Sequence, residues 1–157
     1  MQVLIVCKSV HHGNTRKIAE TIAEELNAEV IEPENVDKNS MENYDIIGFG
    51  SGIYFLAHHR CLLEFIDKIF PAKRNCFVFS TKGFTPTLIN HSKIKRKLRE
   101  KGFNIVGEFS CRGYDSVGPL KFFGGINKNR PNDKDIKRAR EFAKNLLNRS
   151  TIYSIGR

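Results

Sequence analysis

The sequence predicts an α/β fold: a doubly wound, five-stranded parallel sheet of strand order 2-1-3-4-5, with helices on both faces. Three observations carry this. Strand-like and helix-like segments alternate along the chain at the spacing of βαβ units. Three of the strands are short and almost wholly apolar, as strands covered on both faces are. The second strand carries charges, which suits a sheet edge.

Each element has its own signal. Residues 3–7 (VLIVC) form an uninterrupted apolar run, the first strand. From Thr15 the period changes, and Ile18, Ala19, Ile22, Ala23 and Leu26 make one stripe of an amphipathic helix. Residues 28–32 (AEVIE) read as the charged edge strand, and residues 44–51 (YDIIGFGS) as a central one. Leu62, Ile66, Ile69 and Phe70 mark a second helix closed by Pro71. Residues 76–80 (CFVFS) form the next interior strand. A basic helix over about 88–101 stops at Gly102, where a left-handed residue is expected. Residues 103–111 (FNIVGEFSC) alternate as a half-covered strand does. The last helix spans 133–148, with Ile136, Ala139, Phe142, Ala143 and Leu146 inward and Asp133 at the end that favours an anion.

The chain has 157 residues, a single domain over 1–157, and is long enough to bury a core without staples. With 40% hydrophobic and 27% charged residues it is neither disordered nor fibrous. No apolar run approaches the roughly 20 residues of a membrane span. The opening MQVLIVC lacks a basic leader and a cleavage site, so it reads as a strand rather than a signal peptide. Cys7, Cys61, Cys76 and Cys111 are scattered with no CxxC, which fits free thiols in a cytoplasmic protein better than disulfides or zinc. The net charge of +9 is uneven: residues 1–50 hold four basic and nine acidic side chains, and the remainder is strongly basic. A basic side attracts nucleic acid or acidic proteins.

In a sheet of this order, ligands sit at the carboxyl ends of the strands, where the order reverses between strands 1 and 3. The loops there are residues 8–14, 51–57 and 81–86, with the end of the last strand beside them. The first leads into a helix start, a ready anion site: Gly13 admits close backbone approach, and Ser9 and Thr15 offer hydroxyls. The plainer reading is that Asn14 or Thr15 only caps the helix. A P-loop is excluded, because no GxxxxGK[ST] occurs, and Gly48-Phe-Gly50-Ser-Gly52 lacks the dinucleotide spacing.

On these residues the chain resembles the flavodoxin family. The match runs through VLIVCKSVHHGNTRKIAETIA, YDIIGFGSGIYF and CFVFSTKGF to the C-terminal strand and helix. Flavodoxin is itself an example of a ligand held at this point of such a sheet, with FMN between strands 1 and 3. The resemblance implies a flavodoxin-like fold and FMN as cofactor. It implies that Ser9, His11, His12, Gly13, Asn14 and Thr15 hold the phosphate. Ser51, Gly52, Ile53 and Tyr54 would flank the ring with Thr81, Lys82, Gly83 and Phe84, and Gly113 and Tyr114 would lie near it.

The sequence departs from the family in four places. His11 and His12 replace hydroxyl or small residues; a protonated histidine favours a phosphate dianion. Flavodoxins are usually acidic, whereas this chain places Lys82, Arg112 and Lys121 near the expected ring, where cations ease reduction to an anionic flavin. Residues 112–132 form a long aromatic connection, read as a cover over the flavin or a docking loop, or else as packing on the sheet edge. The third helix carries Lys93, Lys95, Arg96, Lys97, Arg99 and Lys101, either a solvated face or a footprint for an acidic redox partner.

The expected function is electron transfer between redox partner proteins, acidic ones such as a ferredoxin-like protein or a reductase. The alternative is an FMN-dependent oxidoreductase acting on a quinone or porphyrinogen. Nucleic acid has no supporting motif. A receiver domain would need an acidic pair where Lys8-Ser9 stands.

Overall fold

The computed structural model describes residues 1–10, 12–114 and 124–155, with 150–155 by backbone alone. Its strands are β1 (Val3–Lys8), β2 (Glu29–Ile31), β3 (Ile46–Tyr54), β4 (Ala57–His58), β5 (Asn75–Lys82) and β6 (Asn104–Arg112). Its helices are α1 (Asn14–Leu26), α2 (Arg60–Lys68), α3 (Thr87–Asn90), α4 (Ser92–Glu100) and α5 (Asp133–Ile155). The main sheet runs β2-β1-β3-β5-β6, all parallel, which is the predicted flavodoxin-like order. The three-residue β2 is one edge strand and β6 the other.

Strand alternation divides the core in two. On one face Val3, Ile5, Cys7, Phe77 and Phe79 pack against the predicted α1 stripe and against Ala139, Ala143 and Leu146 of α5. On the other Leu4, Val6, Ile47, Phe49 and Val78 pack against Leu62 and Ile66 of α2 and Ile94 and Leu98 of α4. Gly48 and Gly50 have a packing role. A Cβ on either would run into the ring of Phe77 or Phe79 on the adjacent strand β5. The G-x-G spacing on β3 thus lets two buried phenylalanines lie across it.

Three local expectations are corrected. The second helix ends at Lys68: Ile69 is extended and buried, whereas Phe70 is exposed. A residue before proline is pushed out of the helical region, and Phe70 precedes Pro71. The basic helix is two helices, broken at His91, whose ring is buried and bonded to the sheet. The two-residue strand β4 adds an element where the sequence reads as loop. It returns antiparallel on β3 through a two-residue hairpin, Phe55-Leu56, with φ of 48° and 63°. Such turns ordinarily take Asn-Gly, so a Phe-Leu pair gives no turn signal in the sequence.

Candidate functional site

The carboxyl ends of β1, β3, β5 and β6 surround one cleft. It is lined by Val10, Asn14, Thr15, Gly52, Ile53, Tyr54, Phe55, Thr81, Lys82, Gly83, Gly113 and Tyr114. All three expected loops contribute, and so does the end of β6. α1 starts at the cleft with Gly13 at its N-cap in the left-handed region, φ 65°. The first-turn amides there have no helical carbonyl to donate to. Thr15 is buried, with its hydroxyl 2.7 Å from that of Thr81. The Asn14 side-chain amide donates to the Tyr114 carbonyl at 2.7 Å and so ties the loop after β6 to the helix start. Gly113 closes this corner: a Cβ on it would lie 3.0 Å from Asn14 Nδ2 and 3.1 Å from Thr81 Cβ.

The other expected residues fall elsewhere. His12 and Gly13 line an adjoining polar groove with Lys17, Lys128 and Arg130, and the His12 ring lies against that of Tyr114. Ser9 Oγ accepts the Arg16 amide hydrogen at 3.2 Å, acting as a cap. Ser51 is fully buried; its hydroxyl donates to the Gly52 carbonyl and accepts from the His59 amide, which fastens β3 to β4. Phe84 is outside the lining, exposed, with the Arg112 guanidinium over its ring at 5.2 Å. His11 lies outside the described residues, as do 115–123, including Lys121. The remainder of the long connection folds back: the Tyr114 amide donates to the Arg130 carbonyl and its hydroxyl to the Gly124 carbonyl. Val10 and Phe55 also line the cleft; both lie within the expected loops 8–14 and 51–57, but neither side chain has a chemistry that singles it out as a site residue.

Among the residues that line the cleft, Lys82 is the one that carries a charge. Burial first, and then Arg112 and Arg138, pull the Lys82 ammonium below its ordinary range. Its Nζ donates to the Thr87 hydroxyl at 2.6 Å. Much of the basic run on α4 is tied up within the chain. Lys95 pairs with Glu108, Lys97 with Asp67, and Lys101 donates to the carbonyls of Asp67 and Ile69. Burial pushes the thiols of Cys7, Cys76 and Cys111 up to about 12, so they stay protonated and non-nucleophilic.

Beneath the β4 and α3 side of the cleft lies a buried polar cluster without a sequence signal. His91 Nε2 is 2.6 Å from the Ser80 hydroxyl, which is 3.1 Å from that of Ser110. Glu108 Oε1 lies 2.9 Å from His91 Nδ1. His58 Nε2 is 3.2 Å from the Phe79 carbonyl oxygen, which can only accept, so that nitrogen carries the hydrogen. Ser80 is enclosed, with no exposed surface for a substrate to reach, so the Ser-His-Glu arrangement is a tie between strands and not a nucleophile.

A protein-family model, Flavodoxin domain, matches residues 4–113. The chain belongs to the flavodoxin family, whose members bind a flavin, FMN, and exchange electrons with partner proteins. An uncharacterized protein of Methanocaldococcus jannaschii is 53% identical over 149 residues, 94% of this chain and 99% of that one. Among solved structures, a flavodoxin from the domain Archaea superposes with a TM-score of 0.72 at 19% identity, covering 95% of this chain and 98% of its own. Oxidised flavodoxin 1 from Bacillus cereus gives 0.71 at 18%, covering 94% and 98%. The rubredoxin oxygen:oxidoreductase from Desulfovibrio gigas gives 0.68 at 14%, with 91% of this chain matching 34% of that one. Among the described residues no helix is long and apolar enough to cross a membrane.

Proposed function

We propose that this protein binds FMN in the cleft and carries electrons between redox partner proteins, acidic ones in particular. The observation that supports this reading is the convergence of loops from β1, β3, β5 and β6 on one slot at the point where strand order reverses. The residues present fit the group. Gly52, Gly83 and Gly113 put backbone into the lining beside Ile53 and Tyr54, so a flat molecule meets main chain there, and the α1 start behind Gly13 suits a phosphate.

The bound flavin supplies the electron-accepting chemistry. The chain supplies orientation and charge. Asn14 and Thr15, with Gly13 and the His12 groove beside them, hold the phosphate through amides and hydroxyls. Ile53, Tyr54 and Gly83 flank the ring, and the main chain of the loops that begin at Gly52 and Gly83 orients its polar edge. Lys82 and Arg112 bring positive charge to the site and favour its reduced, anionic form.

The test is a visible spectrum with added FMN, followed by stepwise reduction. Flavin uptake with two resolved one-electron steps is the expected outcome; no uptake refutes the reading. A single two-electron step, with turnover of small quinones by NAD(P)H, favours the alternative of an FMN-dependent oxidoreductase on a quinone or porphyrinogen. The rubredoxin oxygen:oxidoreductase, in which about a third of a longer chain matches this one, makes that alternative worth the assay.

A further inference from the structure

A second groove opens at the other end of the sheet, where β3, β5 and β6 begin. Its volume is about 410 Å3, within the roughly 300–1,000 Å3 of small-molecule sites. Its floor belongs to the second core layer: Met41, Ile47, Ile69 and Phe103 are buried beneath it. One wall is the 3-10 turn over Ser40–Asn43, and the other is the connection, residues 69–74, that leads from α2 into β5. That connection is pinned along its length, so the groove is preformed. Lys101 Nζ donates to the Ile69 carbonyl and the Ala72 amide to the Lys101 carbonyl, both at 2.8 Å. The Asn104 amide donates to the Arg74 carbonyl, also at 2.8 Å. Phe70, kept out of α2 by the proline that follows it, stands 67% exposed at the groove's edge. A lone exposed aromatic needs no explanation, but one beside an apolar hollow does.

The rim of this groove is cationic. Lys38, Lys73 and Arg74 line it with a single carboxylate, Glu42. Lys95 and Lys97 of α4 are occupied by Glu108 and Asp67, whereas Lys38, Lys73 and Arg74 have no carboxylate partner among the described residues. The Arg74 guanidinium is set in place by one hydrogen bond, from Nη1 to the Tyr44 carbonyl at 2.7 Å. An aromatic ring suits a floor of Met41 and Phe103 with Phe70 beside it. A carboxylate suits a guanidinium fork flanked by two ammonium groups. We infer that the groove binds a small aromatic carboxylate, its ring on the apolar floor and its anion at Arg74, Lys38 and Lys73. A neutral apolar molecule would leave the cations unanswered, and a small inorganic anion would leave the floor uncovered. The groove and the cleft lie at opposite ends of the strands, so this ligand and FMN bind independently of each other.

The probe is 2-naphthoate, titrated into isotope-labelled protein by NMR with and without FMN. Saturable shifts are expected at residues 38–42 and 69–74, with the same affinity in both titrations. The neutral 2-naphthalenemethanol is expected to bind at least about tenfold more weakly. Lys38→Glu with Lys73→Glu changes two exposed side chains and leaves the Arg74 tie to Tyr44 intact; naphthoate is expected to weaken at least about tenfold. Phe70→Ser, which removes apolar surface without altering charge, is expected to weaken it as well. The control, Lys93→Glu with Arg99→Glu, makes the same change of net charge on α4 and is expected to leave the affinity unchanged. No saturable binding, equal binding of the alcohol, equal binding by the Lys38/Lys73 variant, or equal loss in the control overturns the site. Shifts centred on loops 8–14, 51–57 and 81–86, or displacement of naphthoate by FMN, place the probe in the cleft and also overturn it. Self-association that Phe70→Ser abolishes, without naphthoate binding, gives the groove to a second copy and overturns it too. Absence of FMN uptake removes the flavin reading and leaves this test intact.

Discussion

His58 and His91 lie ring against ring in the interior, their centroids 4.8 Å apart, where β4 meets the α3–α4 junction. They join the two loops that flank the cleft, because His58 bonds to β5 and His91 to β5 beside β6. Burial is the main cause that holds both neutral, with His58 down at about 3 and His91 at about 4. Neighbouring positive charge acts in the same direction: His91 bears on His58, and Lys95 and Lys82 on His91. Glu108 touches His91 but is shared with Lys95, so burial and the cations prevail.

Stability should therefore fall with acidification. Above the ordinary histidine value of 6.5 both folded and unfolded chains leave these rings neutral. Between 6.5 and about 4 the unfolded chain takes protons that the folded one refuses, at about 1.4 kcal/mol per pH unit for each ring. Thermal unfolding across that window should show a falling Tm, with a shallower slope in His58→Gln. An unchanged slope in that variant would show that His58 does not carry the effect.

Thr15 and Thr81 share a buried hydroxyl contact where α1 starts at the cleft, the end proposed to hold the FMN phosphate. Thr15→Ala should weaken FMN by about 1–3 kcal/mol, and Thr15→Ser should restore it. Unchanged FMN affinity with a lowered Tm would leave the hydroxyl a purely structural tie between α1 and β5.

In the proposed FMN complex Lys82 and Arg112 would set the sign of the field at the ring. The second one-electron reduction should have a potential less negative than in acidic flavodoxins, because nearby cations stabilise the anionic product. Charge reversal at Arg112, whose side chain is exposed over Phe84, should make that potential more negative with FMN retained. A potentiometric titration giving the same value for wild type and Arg112→Glu would remove this cause.

At the β3–β4 hairpin, Phe55→Asn with Leu56→Gly installs the residues that the two-residue turn prefers. Relief of left-handed strain at two positions should raise stability by roughly 1–2 kcal/mol per residue as an upper bound. Denaturant unfolding checks it: a higher midpoint with unchanged slope is expected, and a lower midpoint would mean the apolar tip contributes to packing.

Periodicity and composition determined the strand order, the inward stripes of α1 and α5 and the edge position of β2, because these depend on the pattern of apolar residues along single elements. Topology also fixes which loops meet at the cleft; the individual residues expected there follow from the family resemblance, and ten of them line it. Tertiary structure alone decided the rest. Ser51 and Ser9 were legible as hydroxyls near the site, but only neighbours packed against them decided that one fastens β4 and the other caps α1. The Phe55-Leu56 hairpin runs against local turn chemistry and is held by its pairing to β3. The His58–His91 contact joins residues from separate elements, and no local pattern encodes it. Apolar periodicity acts within an element; hydrogen-bond partners and buried charge states are set by which elements the fold brings together.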